Sequence, residues 1–302
     1  MNHNFLNVSI IQPHLSDQLD VNLSSLESAL DSLSSGYVKP ELVVGVEFGI
    51  ARKTPISLDH EALSFLGSLA KKHHIYFVPG TFAEASPELP QGAFYNTCPV
   101  FGPDGTMITY YRKKVPFRPG EPSTPSGTND YCLFDIKEKN IKVGVIICYE
   151  QFFPEIPRTV ALMGADIILC PAMDPMEYKH IPDIIPRARA LENELFYVWT
   201  CGVGQSGAST CCGKSTIVNP EGEIVFQCSH NPEYITQTLD LSMTQVKRTL
   251  GRDQHLNSLR AFRVSYPFAN NLESAPVYQT LLQLTHTKEE YISRISSEQA
   301  AK

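Results

Sequence analysis

Short runs of β-branched and apolar residues alternate with amphipathic stretches through the first part of the chain. This alternation limits the fold more than any other feature. Residues 5–12 (F-L-N-V-S-I-I-Q) read as a strand closed by Pro13. Residues 20–33 place Val21, Leu23, Leu26, Ala29, Leu30 and Leu33 at helical spacing beneath a Ser/Asp outer face. Residues 41–48 (E-L-V-V-G-V-E-F) form a second buried strand, residues 58–73 a second amphipathic helix, and residues 75–78 a third strand turning at Pro79-Gly80. A β-α-β-α-β order predicts an α/β fold, with a mixed or parallel sheet and helices outside it.

The pattern then changes. Residues 94–101 and 107–112 read as strands joined by Gly102-Pro103-Asp104-Gly105, a strong hairpin signal. Residues 116–129 hold four prolines and two glycines without an evident element, and such long loops are often functional. Strands follow at 131–136 and 141–147, a helix at 154–164, and a strand at 166–170 closed by Pro171. Residues 173–186 are irregular and Pro-rich; residues 187–195 read as a helix, 196–201 as a strand and 202–207 as a Gly-rich turn. Strands at 214–218 and 223–227 pair through Asn219-Pro220-Glu221-Gly222, and a last strand covers 234–239. After Ser242 comes one helix pattern and an irregular tail, whose end (K-E-E-Y-I-S-R-I-S-S-E-Q-A-A-K) reads as a solvated helix or frayed end. No linker-like segment or internal period divides the chain, so a single domain is expected.

Composition excludes several classes of function. With 302 residues and 42% hydrophobic content a sizeable core is available. The net charge of −7 and the lack of any basic block beyond pairs such as Lys71-Lys72 argue against nucleic-acid binding. The start, MNHNFLNVSIIQPH, has neither a basic region nor a long apolar run, so no signal peptide and no membrane association are expected. The eight cysteines contain no C-x-x-C pair and the nine histidines no ligand spacing with them. They read as reduced thiols of a cytoplasmic protein, and zinc is not expected.

One stretch concentrates the chemistry. Residues 142–155 read K-V-G-V-I-I-C-Y-E-Q-F-F-P-E. Val143, Val145, Ile146 and Ile147 suit a strand buried on both faces, and Pro154 with Glu155 suits the first turn of a helix. Cys148 therefore stands at a strand-to-helix elbow, where nearby backbone N–H groups lower a thiol's pKa and hold an oxyanion. A small buried core residue is the competing reading, and the local sequence leaves both open. Glu47 ends a buried strand, a costly place for a carboxylate without a purpose. Lys113 ends the strand before the long loop, and Glu121 lies in that loop. Taken singly, a salt-bridging carboxylate, a surface cation and a solvated loop acid account for them. If the strand ends converge, the chemistry is acyl transfer. Glu47 is then the general base, Cys148 the nucleophile, and Lys113 with the Tyr149 N–H stabilises the developing charge.

C-Y-E-Q-F-F-P-E resembles the nucleophile motif of the nitrilase superfamily of carbon–nitrogen hydrolases, with Arg158 and Gly164-Ala165 in the family's places. Y-R-K-K at 111–114 resembles its lysine motif in a register that points to Lys113 rather than Lys114, and Glu47 matches its first glutamate. Glu121 in R-P-G-E resembles the second glutamate that positions substrate in many members. Y-N-T at 95–97, R-A-R-A-L-E-N at 187–193 and G-K-S-T-I-V-N-P-E-G from Gly213 match further family stretches. The likeness runs from about Phe5 to Leu241.

It implies a four-layer α-β-β-α sandwich of two mixed sheets spanning 1–302, dimers packed through outer helices, and residues 242–302 as an extension serving oligomerisation. It also implies no metal and no organic cofactor. There are departures. Val46 stands where Pro is usual, Val115 replaces a common His, and Glu150 replaces the small-amidase Asp. Met173, Met176 and Tyr178 stand where an aromatic, often Trp, lines the pocket. Tyr149, Glu150 and Met173 are the expected oxyanion or substrate-binding residues, and Arg187, Arg189 and Glu192 an expected buried ion-pair framework. The motif's form looks closest to the ω-amidase and small aliphatic amidase branch. That implies hydrolysis of a linear amide through a Cys148 thioester, with a nitrile or N-carbamoyl substrate as the alternative and a catalytically silent scaffold or sensor dimer as the second. Arg118, Lys179 and His180 are positional candidates for a cation that meets a substrate carboxylate.

Overall fold

A computed structural model describes residues 4–206, 209–251, 253–259 and 293. The first sheet contains β1 (Phe5–Gln12), β2 (Leu42–Ile56), β3 (Tyr76–Glu84), β4 (Tyr95–Phe101), β5 (Met107–Arg112) and β14 (Glu233–Asp240), in the order β14-β1-β2-β3-β4-β5. The second contains β6 (Cys132–Ile136), β7 (Ile141–Val145), β8 (Ile167–Ala172), β9 (Phe196–Cys201), β12 (Thr216–Val218) and β13 (Ile224–Gln227), in the order β13-β12-β9-β8-β7-β6. Each sheet has a parallel trio, β1-β2-β3 or β7-β8-β9, flanked by antiparallel strands. Helices α1 (Leu19–Ser35) and α2 (Glu61–His73) belong to the first half of the chain. Helices α3 (Glu155–Leu162), α4 (Ile185–Asn193), α5 (Ser242–Leu250) and α6 (His255–Leu259) belong to the second.

Side-chain alternation builds the layers. Leu6, Val8 and Ile10 of β1 and Leu42, Val44 and Val46 of β2 point into a core shared with Val143, Val145, Leu169 and Val198 of the other sheet. The intervening Ile11 and Val43 face Leu26, Leu30, Leu63 and Leu66 of α1 and α2. On the far side, α3 and α4 cover the second sheet through Ile156, Val160 and Ala190. The result is the four-layer α-β-β-α sandwich. The glycine that interrupts the run in β7 has a packing reason: a Cβ at Gly144 would lie 2.2 Å from Val160 Cγ1, so only glycine lets α3 approach.

Three readings need correction. Residues 203–206 are not a turn but β10 (Val203–Ser206), paired antiparallel with β11 (Ser209–Cys212); Gly202 and Gly204 had the appearance of loop punctuation. Arg187 is exposed and donates to the Gly222 carbonyl at 2.8 Å, so the buried ion-pair framework reduces to Arg189 with Glu192 at 2.7 Å. The chain does not pass directly from strand to α-helix after Ile147, since a 3₁₀ turn over Cys148–Phe152 intervenes. The start of the expected extension is packed: Arg248 on α5 pairs with Asp166 at 3.0 Å and donates to the Ala165 carbonyl. The charged final stretch, apart from residue 293, lies outside the described residues. Among the described residues no helix is long and apolar enough to cross a membrane.

Candidate active site

The elbow is built by one carboxylate. Cys148 opens the 3₁₀ turn with φ 47°, in the left-handed region that costs a non-glycine residue about 1 kcal/mol or more. Glu150 holds it there. Its Oε2 accepts the Ile147 N–H at 2.7 Å, and its Oε1 accepts the Lys114 N–H at 2.6 Å and the Tyr111 hydroxyl at 2.8 Å. Tyr111 lies on β5 and Lys114 just beyond it, so Glu150 ties the elbow of the second sheet to the edge of the first. Burial pushes the Glu150 carboxyl up, against the pull of these donors. Glu150 is fully buried and does not reach the cavity wall.

The other candidate groups come from the first sheet. Parallel pairing of β2 with β3 lapses after Val46 opposite Gly80, and Glu47 sits at that lapse. The next residue, Phe48, has φ 53°, and its N–H is held by Thr81 Oγ1 at 2.8 Å. Lys113 follows β5, with its N–H on the Asn96 carbonyl of β4 at 2.9 Å and its carbonyl accepting the Gly127 N–H at 2.8 Å. Its ammonium bridges Glu47 Oε1 and Glu121 Oε2, each at 2.7 Å. Asn96 Nδ2 donates to both carboxylates as well, at 2.8 and 2.7 Å, and the Phe117 N–H holds Glu121 at 2.7 Å. All four side chains are buried. Burial alone would discharge Lys113, but the charges of Glu121 and Glu47 outweigh it and hold the ammonium well above its ordinary pKa.

These groups meet the Cys148 thiol on one cavity of about 170 Å³. Glu47, Lys113, Glu121 and Cys148 stand on its wall with Tyr149 and Met173. The thiol of Cys148 is pushed well above its ordinary pKa, first by burial and then by the charges of Glu47 and Asp174, with Lys113 pulling the other way. The resting group is therefore S–H, and it donates to Asp174 Oδ1 at 3.6 Å. Lys114 is directed elsewhere, its ammonium on the Asn129 carbonyl and over the Tyr131 ring. Arg118 donates to the Thr124 carbonyl, and Lys179 and His180 are exposed; none of the three lines the cavity. Besides Lys113, the wall carries the cation Arg52, 5.6 Å above the Phe48 ring.

The carbon-nitrogen hydrolase family model matches residues 7–249. The chain belongs to that family. It is similar to a nitrilase of Pyrococcus abyssi (strain GE5 / Orsay), 36% identical over 208 residues that cover 67% of this chain and 72% of that one. It is also similar to omega-amidase NIT2-B of Xenopus laevis, 32% identical over 193 residues, 60% of this chain and 67% of that one. Among solved structures, Saccharomyces cerevisiae Nit3, a member of branch 10 of the nitrilase superfamily, superposes with TM-score 0.76 at 25% identity over 86% of this chain and 97% of its own.

Three residues of the cavity region stand outside the set that the sequence of this carbon–nitrogen hydrolase singles out. Asn96 lies inside the Y-N-T stretch that resembles the family, but an amide within a strand carries no local sign that it will clamp two carboxylates. Asp174 closely follows a buried apolar strand, the same signal that marks Glu47. Arg52 sits beyond the expected end of β2, which runs to Ile56 rather than residue 48.

Proposed function

We propose that this carbon–nitrogen hydrolase converts a small linear amide to its carboxylic acid and ammonia through a thioester on Cys148. The observation that carries the reading is the Lys113 ammonium held between Glu47 and Glu121 on the wall where the Cys148 thiol stands. Glu47 takes the thiol proton as sulfur attacks the carbonyl carbon. Because the resting thiol is hard to ionise, that transfer accompanies attack rather than preceding it. Lys113 and the Tyr149 N–H stabilise the oxyanion. Glu47 then protonates the departing nitrogen, and the C–N bond breaks to release ammonia. Glu47 next activates a water that attacks the thioester, which frees the acid and restores the thiol. Glu121 keeps Lys113 oriented and borders the substrate with Met173.

The resemblance to an omega-amidase supports an amide, and the resemblance to a nitrilase keeps a nitrile, beside an N-carbamoyl compound, as the alternative at the same three groups. A silent scaffold would have no use for a base, a buried cation and a thiol together. We further read residues 1–302 as one domain, cytoplasmic, forming homodimers through α3, α4 and the segment after residue 242. Leu162, Met163 and Ile184 are exposed apolar residues on or beside those two helices. Intact-mass measurement during incubation with aliphatic and ω-amides, nitriles and carbamoyl compounds, alongside ammonia release, tests the chemistry. An acyl adduct and ammonia that disappear in Cys148→Ala are expected, as is a loss of about 10²–10⁴-fold in kcat/KM for Glu47→Gln. Absence of adduct and of ammonia from every compound sinks the reading.

A further inference from the structure

The cavity holds a titratable group that the reaction above does not use. Asp174 follows β8 and is held by two other strands. Its N–H points at Cys201 Sγ of β9 at 3.3 Å, and its carbonyl accepts the Cys212 N–H of β11 at 2.9 Å. Its side chain is buried and lines the cavity, with Oδ1 on the Cys148 thiol and Oδ2 without a hydrogen-bond partner. The groups around it are Cys148 at the elbow, Glu47 on β2, Lys113 after β5, Cys170 on β8, Cys201 on β9, and Cys211 and Cys212 on β11. Arg52, Glu121 and Tyr178 line the same cavity. Glu47 and Glu121 are already matched on this wall by Lys113 and Arg52, two carboxylates against two cations. An ionised Asp174 leaves the wall net negative, before sulfur or the carbonyl oxygen takes on any charge.

We propose that Asp174 is a positioning residue that sets the working pH range of the nucleophile. In its neutral form it seats the Cys148 sulfur without adding charge; ionised, it opposes the negative charge that the sulfur and the oxyanion must gain. The carboxyl is pushed up to about 7 by burial and by the charge of Glu47, against the Cys148 hydrogen bond and Lys113, so the change falls within an accessible range. The proposal rests on the amidase reading only for its turnover arm.

The test follows alkylation of Cys148 by iodoacetamide, read on its peptide by mass spectrometry from pH ~5 to ~9, in wild type and Asp174→Asn. The rate ratio of variant to wild type is expected near one at the acid end, rising to about tenfold at the alkaline end, the equivalent of about one pKa unit. Asp174→Glu is expected to restore the break in the pH profile, and Asp174→Ser carries the same comparison if Asp174→Asn does not fold. The alkaline limb of kcat/KM on an amide is expected to move upward in the variant. A ratio that is flat across pH, including a uniform loss as a purely structural role would give, overturns the proposal. Alkylation needs no turnover, so a break in wild type without ammonia release from any amide removes the amidase reading and leaves this one standing.

Discussion

Asp174 and Glu150 are both buried carboxyls pushed upward by burial, and their partners separate their consequences. Asp174 accepts from a single weak donor. Its folded pKa of about 7 lies above the ordinary carboxylate value, so its contribution is complete at low pH and is lost as pH rises through the folded value. Asp174→Asn is therefore expected to unfold with wild type at pH ~4 and to exceed it above pH ~7, by on the order of 4 kcal/mol at most. Calorimetry across that range checks it, and a difference that does not vary with pH refutes it. Glu150 receives three close donors from two sheets. Glu150→Ala strands two backbone N–H groups and a hydroxyl out of water and is expected to cost about 3–5 kcal/mol in urea unfolding. A change under about 1 kcal/mol would show that the elbow is held by something else.

At the level of elements, the site depends on two strands touching backbone to backbone. Gly80 has φ +108°, and a Cβ there would lie 2.0 Å from the Val46 carbonyl oxygen, one residue before Glu47. Gly80→Ala is expected to cost about 3 kcal/mol or more and to depress activity further than stability alone accounts for, since β2 must retreat and carry Glu47 with it. Comparing kcat/KM with the unfolding midpoint of the same variant separates the two effects. Much of this layer was legible in the residues. Strands β1, β5 and β9 begin and end where their apolar runs and breakers place them. Glu47 and Cys148 stood out because each is a reactive group where a buried strand run ends. Periodicity does not reveal that β2 continues past Phe48 through a left-handed residue, or that β10 and β11 pair across a glycine-rich segment. Nor does it reveal that Asn96 clamps two acids, because these depend on partners distant in sequence.

Across the whole molecule, Leu162 and Ile184 leave apolar surface on the outer face of the second sheet's helices, 60% and 55% exposed. If that face joins two copies, Leu162→Glu with Ile184→Glu is expected to shift wild-type dimers to monomers in sedimentation while each chain keeps its cavity. Wild type running as a monomer at micromolar concentration refutes it. The reactive set itself is divided between the halves of the chain. Glu47, Asn96, Lys113 and Glu121 precede residue 132, whereas Cys148 and Asp174 follow it, and Glu150 clasps the two together. Under the proposed mechanism, a ribosome that has released only the first half has made a base and a cation with nothing to activate. On that reading the chain stays inert toward amides until its later strands close over the earlier ones, and the enzyme is armed by the completion of its own folding.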